Sequence, residues 1–82
     1  MLKVGILGYG YMGKIRHYYL NQYPDCKVQA IFHTDPIEGD FDYYDSWENI
    51  IEIKSLDAIF VCLPNYLIKD AVVLSLNAGK HV

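Results

Sequence analysis

The stretch Met1-Leu2-Lys3-Val4-Gly5-Ile6-Leu7-Gly8-Tyr9-Gly10-Tyr11-Met12-Gly13 sets the frame for the rest of the chain. Val4, Ile6 and Leu7 form a β-prone apolar run, and from Gly8 onward the letters spell G-x-G-x-x-G. That spacing describes a pyrophosphate site in mechanical terms. Gly8 permits a tight turn out of a strand, Gly10 lets backbone come close to a phosphate, and Gly13 lets the next helix pack against the strand. A helix starting there turns free N–H groups and a positive dipole end toward the anion. A bare strand–turn–helix glycine turn would carry the same letters. The apolar run before them and the helix-permissive Lys14–Tyr23 after them favour the binding reading. No G-K-[ST] follows, so this is not a P-loop. A methyltransferase-type G-x-G-x-G loop fits less well, because the third glycine falls one residue later. Tyr9, Tyr11 and Met12 occupy the x positions and are candidate contacts. The two tyrosines either border the pyrophosphate or stand exposed.

Working outward, the spacing predicts a strand over Lys3–Leu7 and a helix from Tyr11 or Met12 to Gln22, with Ile15, Tyr18, Tyr19 and Tyr23 as its packing face. Pro24-Asp25 ends it. Lys27–Phe32 is a nearly continuous apolar run, as in strands buried on both faces of a parallel sheet. The segment 35–41 reads as a loop too short for a crossover helix. Phe41–Tyr44 is then either a short edge strand or a segment that only touches the sheet. Asp45 or Ser46 caps the next helix, Asp45 and Glu48 having capping-box spacing, and it extends to about Lys54. Asp57–Leu63 is a strand broken by Pro64-Asn65. A last helix covers Leu67–Asn77, with Ala71, Val72, Leu74, Leu76 and Ala78 as its buried stripe and Gly79 as its stop. Lys80-His81-Val82 begins a further strand. Alternating strands and helices predict an α/β fold, a partial Rossmann-like doubly wound parallel sheet of about four strands. A ligand belongs at the carboxyl ends of those strands, near Gly8–Gly13, Phe32–Asp35 and Leu63–Tyr66.

Composition narrows the function classes. The 82 residues hold one domain, 52% hydrophobic and 15% aromatic, with eight tyrosines. A chain this small buries only about 60% of its unfolded surface, so part of the apolar content is expected to meet a partner or ligand. A net charge of −3 without a basic stripe argues against nucleic acid. No apolar run approaches bilayer length, and Lys3 and Gly5 break any signal-peptide pattern. Cys26 and Cys62 do not read as a disulfide framework, which points to reduced thiols and a cytoplasmic location. The histidines and cysteines lack zinc-ligand spacing, so no metal is expected. His17 reads as a packing or capping residue near the glycine loop. Tyr43, Tyr44 and Tyr66 either line the ligand pocket or make an oligomer contact. No paired carboxylates or nucleophile–base pair mark a catalytic residue.

The chain resembles the N-terminal nucleotide-binding portion of the Gfo/Idh/MocA oxidoreductases. The likeness is carried by Val4–Gly13 with His17, by the strand ending near Asp35-Pro36, and by Leu56-Asp57-Ala58-Ile59-Phe60-Val61-Cys62-Leu63-Pro64-Asn65 with Leu74-Ser75-Leu76-Asn77-Ala78-Gly79-Lys80-His81-Val82. It implies the NAD(P)-binding part of an oxidoreductase that transfers hydride to or from a hydroxyl-bearing carbon of a sugar, cyclitol or similar polyol. Gly8, Gly10 and Gly13 would hold the pyrophosphate, His33, Thr34 and Asp35 would select the adenosine ribose, and Leu63, Pro64, Asn65 and Tyr66 would approach the nicotinamide. The family's Glu-Lys-Pro lysine and its large substrate domain would follow Val82. Residues 1–82 are thus expected to be an incomplete domain, a fragment or the product of an interrupted gene, and inactive alone. A sheet edge left open that way is expected to drive homo-oligomerisation. NAD and NADP both remain candidates. His33 stands where NAD-preferring folds usually place a carboxylate, which leans the expectation toward NADP. A histidine that the family often has after Pro-Asn is replaced here by Tyr66-Leu67-Ile68, so its role does not carry over. The alternative reading is a non-catalytic dinucleotide-binding or protein-interaction module.

Overall fold

The computed structural model describes residues 1–82. Its elements are β1 (Leu2–Leu7), α1 (Tyr11–Leu20), β2 (Cys26–Phe32), β3 (Asp42–Tyr44), α2 (Trp47–Ile51), β4 (Ala58–Val61) and α3 (Asn65–Asn77). The strands form one four-stranded sheet in the order β3-β2-β1-β4, with every pairing parallel. This is the expected α/β, Rossmann-like arrangement. β1 lies inside the sheet because its residues are apolar enough to be covered from both faces: Val4, Ile6 and Leu7 are fully buried.

The two faces are covered differently. On one, Ile6, Val28 and Ile31 pack under Leu20 of α1 and under Tyr9, Ile37 and Phe41. On the other, Leu7, Ala30, Ile59 and Leu63 pack against Ile50 and Ile51 of α2, Leu56, and Ala71 of α3. A bulge makes this possible. Val4 pairs with Val28 but Gly5 with Ala30, so Gln29 is the extra residue and Val28 and Ile31 share a face. No helix is long and apolar enough to cross a membrane.

The segment after Phe32 becomes a paired edge strand, β3, with Ala30 opposite Asp42 and Phe32 opposite Tyr44. Residues 33–41 make this parallel connection without a helix. Ile37 and Phe41 cover the sheet where a crossover helix would lie. At the other edge His81 forms a parallel bridge with Ala58, the start of the strand expected after Gly79.

Several expected faces and limits are corrected. Tyr18, Tyr19 and Tyr23 are about 60% exposed, whereas Gly13 is buried and His17 and Leu20 are half-buried. The tight seat of Gly13 rotates α1 so that positions 13, 17 and 20 meet the sheet, and the tyrosine hydroxyls stay in water. In α3, Leu74 and Leu76 are exposed and Ser75 is buried, its Oγ donating to the Ala71 carbonyl at 2.7 Å. That bond removes the cost of burying a hydroxyl. α2 stops at Ile51, not Lys54, and Ser46 Oγ donates to Glu48 at 3.2 Å instead of capping a helix N–H. β4 is shorter than expected, and α3 starts at Asn65, two residues before Leu67.

Candidate cofactor site

The three motif glycines have different reasons to be glycine. Gly8 has φ +101°, its N–H donates to the Phe32 carbonyl at 3.0 Å, and an added Cβ would run into the Cys62 carbonyl. Position 8 is therefore pinned between β2 and β4 and closed to L side chains. Gly13 lies against the Gly8 carbonyl, which a Cβ there would strike. Gly10 is unlike both. Its φ is −76°, and no protein atom lies near where its Cβ would stand. Neither backbone strain nor internal packing demands glycine at this position. What remains is clearance for something outside the chain.

Gly10 is also the N-cap of α1. No side chain caps that end and no acidic residue lies in the first turn, and the Lys14 N–H to Gly10 carbonyl bond at 3.0 Å is the first intrahelical one. The earlier N–H groups stay open to an anion. A dinucleotide pyrophosphate fits this arrangement: an open cradle over Gly10 at an uncapped, acid-free helix end.

One cavity of about 450 Å³ gathers three chain segments at the carboxyl ends of the strands. The loop after β1 contributes Gly8, Tyr9, Gly10, Tyr11 and Met12, the end of β2 contributes Phe32, His33 and Thr34, and the end of β4 contributes Cys62, Leu63 and Pro64. Four expected residues lie elsewhere. Gly13 is buried behind the loop, Asp35 is exposed and outside the lining, and Tyr66 is 79% exposed. Asn65 lines an adjoining cavity of about 630 Å³, which shares Met12, Cys62 and Leu63 with the first. The two cavities form one trough from the end of β2 to the end of β4.

Some of the polar groups around the trough are engaged within the protein, whereas the Thr34, Arg16 and Asn65 side chains that line it make no internal hydrogen bond. The Tyr9 hydroxyl lies 2.7 Å from His17 Nδ1. The phenol O–H is the stronger acid, so it donates to a neutral ring protonated at Nε2. Burial lowers the His17 pKa below 6.5 and supports that neutral form. Burial raises the Cys62 thiol pKa, against a smaller opposing effect of the Arg16 charge, so Cys62 is a protonated thiol and not a nucleophile. Cys26 and Cys62 are both free. Tyr43, Tyr44 and Tyr66 are not brought together. Tyr43 Oη donates to the His33 carbonyl at 2.9 Å, and Tyr44 packs on the α2 face. Phe32 and Cys62 are lining residues that the motif alone does not single out. The only signal for them was their position at strand ends.

Comparison with known proteins agrees with this geometry. Residues 2–82 match the family described as "Oxidoreductase family, NAD-binding Rossmann fold", the Gfo/Idh/MocA group. A 2,7-anhydro-N-acetylneuraminate hydratase of Escherichia coli K12 is 27% identical across 100% of this chain and 23% of its own length. The structure of scyllo-inositol dehydrogenase from Lactobacillus casei, with NAD(H) and scyllo-inositol bound, superposes with a TM-score of 0.90 at 27% identity, over 100% of this chain and 27% of that one. A Synechocystis biliverdin reductase, in complex with biliverdin and NADP+, shares the fold with a TM-score of 0.87 at 22% identity, over 99% of this chain and 28% of that one. The chain therefore spans about a quarter of the length of these relatives. By motif, topology and family match, the chain belongs to the Gfo/Idh/MocA oxidoreductases and is their NAD(P)-binding Rossmann domain.

Proposed function

We propose that the trough holds a nicotinamide dinucleotide, with its pyrophosphate over Gly10, its adenosine ribose at His33 and Thr34, and its nicotinamide half toward Leu63, Pro64 and Asn65. Gly10 carries this reading, because it is the one motif glycine with no internal reason to be glycine. The lining residues shared by the two cavities support a ligand long enough to lie across the ends of both β2 and β4. At the β2 end the lining contains no carboxylate, since Asp35 lies outside it. A 2′-phosphate is not repelled there, and the Thr34 hydroxyl can donate to it, which favours NADP over NAD.

The protein carrying this domain is, on this reading, a longer cytoplasmic oxidoreductase acting on a hydroxyl-bearing carbon of a sugar, cyclitol or similar polyol. The bound nicotinamide supplies the hydride chemistry, and these residues supply binding and orientation. The scyllo-inositol dehydrogenase likeness supports the polyol class. Substrate wall and proton-transferring residues would come from outside residues 1–82, in keeping with the fraction of the relatives that the domain spans.

The test is fluorescence titration of NADPH and NADH against the full chain and Gly10→Asp. The variant places a carboxylate where the phosphates would sit, and binding is expected to weaken about 100-fold or more. The melting temperature should hardly move, because the new side chain meets open space. Equal binding by both proteins, or none by either, would overturn the reading.

A further inference from the structure

The corner after β2 is held from two sides. Tyr43, the middle residue of β3, crosses to the end of β2 and donates its hydroxyl to the His33 backbone carbonyl at 2.9 Å in a partly buried contact. From the other side the Tyr9 ring meets the His33 ring edge-on, with centroids 6.4 Å apart and planes at 74°. Tyr9 is itself fixed, by its bond to His17 and by Phe41 at 6.2 Å. Phe41 closes the circuit by packing edge-on to His17 at 5.5 Å. The helix-free connection 33–41 is thereby fastened at both ends. His33, its first residue, lines the cavity next to Gly8 and Gly10.

A connection without a helix has no repeating hydrogen bonds to hold its first residue. A carbonyl caught by a side chain two strands' width from the glycine loop does that work here. β3 is only three residues long, and among them Tyr43 is the one whose side chain bonds this corner.

We propose that Tyr43 is a positioning residue for the adenosine ribose subsite, setting the preference for a 2′-phosphorylated dinucleotide by holding His33 in place. This rests on the function proposed above. It adds a residue that the dinucleotide fingerprint does not include. Loss of the hydroxyl frees the His33 carbonyl, and the corner no longer presents one fixed arrangement to the 2′-position. The rest of the dinucleotide, held at Gly10 and along β4, is unaffected.

The experiment measures NADPH and NADH dissociation constants for the full chain, Tyr43→Phe, His33→Asp, the double variant and Gly10→Asp. Tyr43→Phe keeps the ring and removes one hydrogen bond. NADPH binding is expected to weaken about fivefold, with less than about a twofold change for NADH. A merely loosened fold would move both cofactors together and leave their ratio alone. His33→Asp should shift the ratio about tenfold or more toward NADH, and by less when Tyr43 is also Phe, because the carboxylate is then no longer held. Additive effects of the two substitutions, or an unchanged ratio in Tyr43→Phe, would overturn the role of Tyr43 while Gly10→Asp still weakened binding of both cofactors. A wild-type preference for NADH would overturn it too. If Gly10→Asp binds as well as the wild type, the site itself is misplaced and both proposals fall.

Discussion

His17 illustrates what one side chain does in this fold. It faces the sheet from α1, accepts from Tyr9, and meets Phe41. Burial lowers its pKa from 6.5, so the folded chain holds it neutral while the unfolded chain takes up a proton as pH falls. The unfolded state then binds more protons, and stability drops. The His17 contribution is whole above pH 6.5 and is lost progressively below it. Urea unfolding at about pH 7.5 and about pH 5 should show lower stability at the acid end, and His17→Phe should flatten that difference. An unchanged slope in the variant would show that His17 titrates alike in both states. The motif glycines belong to the same scale. Gly8 and Gly13 were legible from spacing as turn and packing residues. That Gly10 has no internal reason to be glycine needed the neighbours of all three.

Among the elements, α2 is the shortest helix, and the turn that follows it is held from a distance. Its end runs into a turn at Ile53–Leu56, and the Lys80 side chain reaches that turn from beyond α3. Lys80 is 8% exposed, and its Nζ donates to the Ile53 carbonyl at 2.5 Å and to the Leu56 carbonyl at 2.9 Å. The apolar stem is buried with the ammonium group, which no carboxylate partners here. Lys80→Met keeps much of the stem and removes both bonds, leaving the buried Leu56 carbonyl without a partner and the Ile53 carbonyl with only the Leu56 N–H at 3.3 Å. A loss of about 1–3 kcal/mol is expected. For a domain of this size that lowers the melting temperature by roughly 4–8 °C per kcal/mol, readable by circular dichroism. No change in melting would mean that water replaces both bonds. Helix existence was readable from periodicity, but helix rotation was not. Tyr18 and Leu74 look like core residues on a helical wheel, yet the tight seat of Gly13 and the buried Ser75 turn other faces inward.

At the scale of the molecule, cover is uneven. α2 and α3 close one face of the sheet, while on the α1 side Phe60 and Cys62 border the open cavity of about 630 Å³. Beyond β4 only the His81 bridge extends the sheet, and Tyr11, Tyr18, Tyr19, Tyr23 and Tyr66 stand exposed. Residues 1–82 on their own are therefore expected to self-associate through the open sheet edge. Sedimentation velocity from about 10 to about 200 μM should show an increasing sedimentation coefficient. A constant monomer value across that range would count against edge pairing.

The sequence by itself determined the order of strands and helices, the glycine turn at the end of β1, and the strand ends where a ligand belongs. These depend on periodicity and turn chemistry, which near neighbours along the chain specify. It also carried the family, through Gly8–Gly13, Pro64-Asn65 and Ala78–Val82. Only the tertiary structure decided the bulge at Gln29, the exclusion of Asp35, Asn65 and Tyr66 from the cavity beside Gly10, the bond from Tyr43 to His33 and the reach of Lys80 to the turn after α2. Each of these depends on how separate elements pack together and not on the pattern within one of them. Such contacts depend on sheet register and helix rotation, which follow from the summed packing of the whole core and leave no local pattern to read.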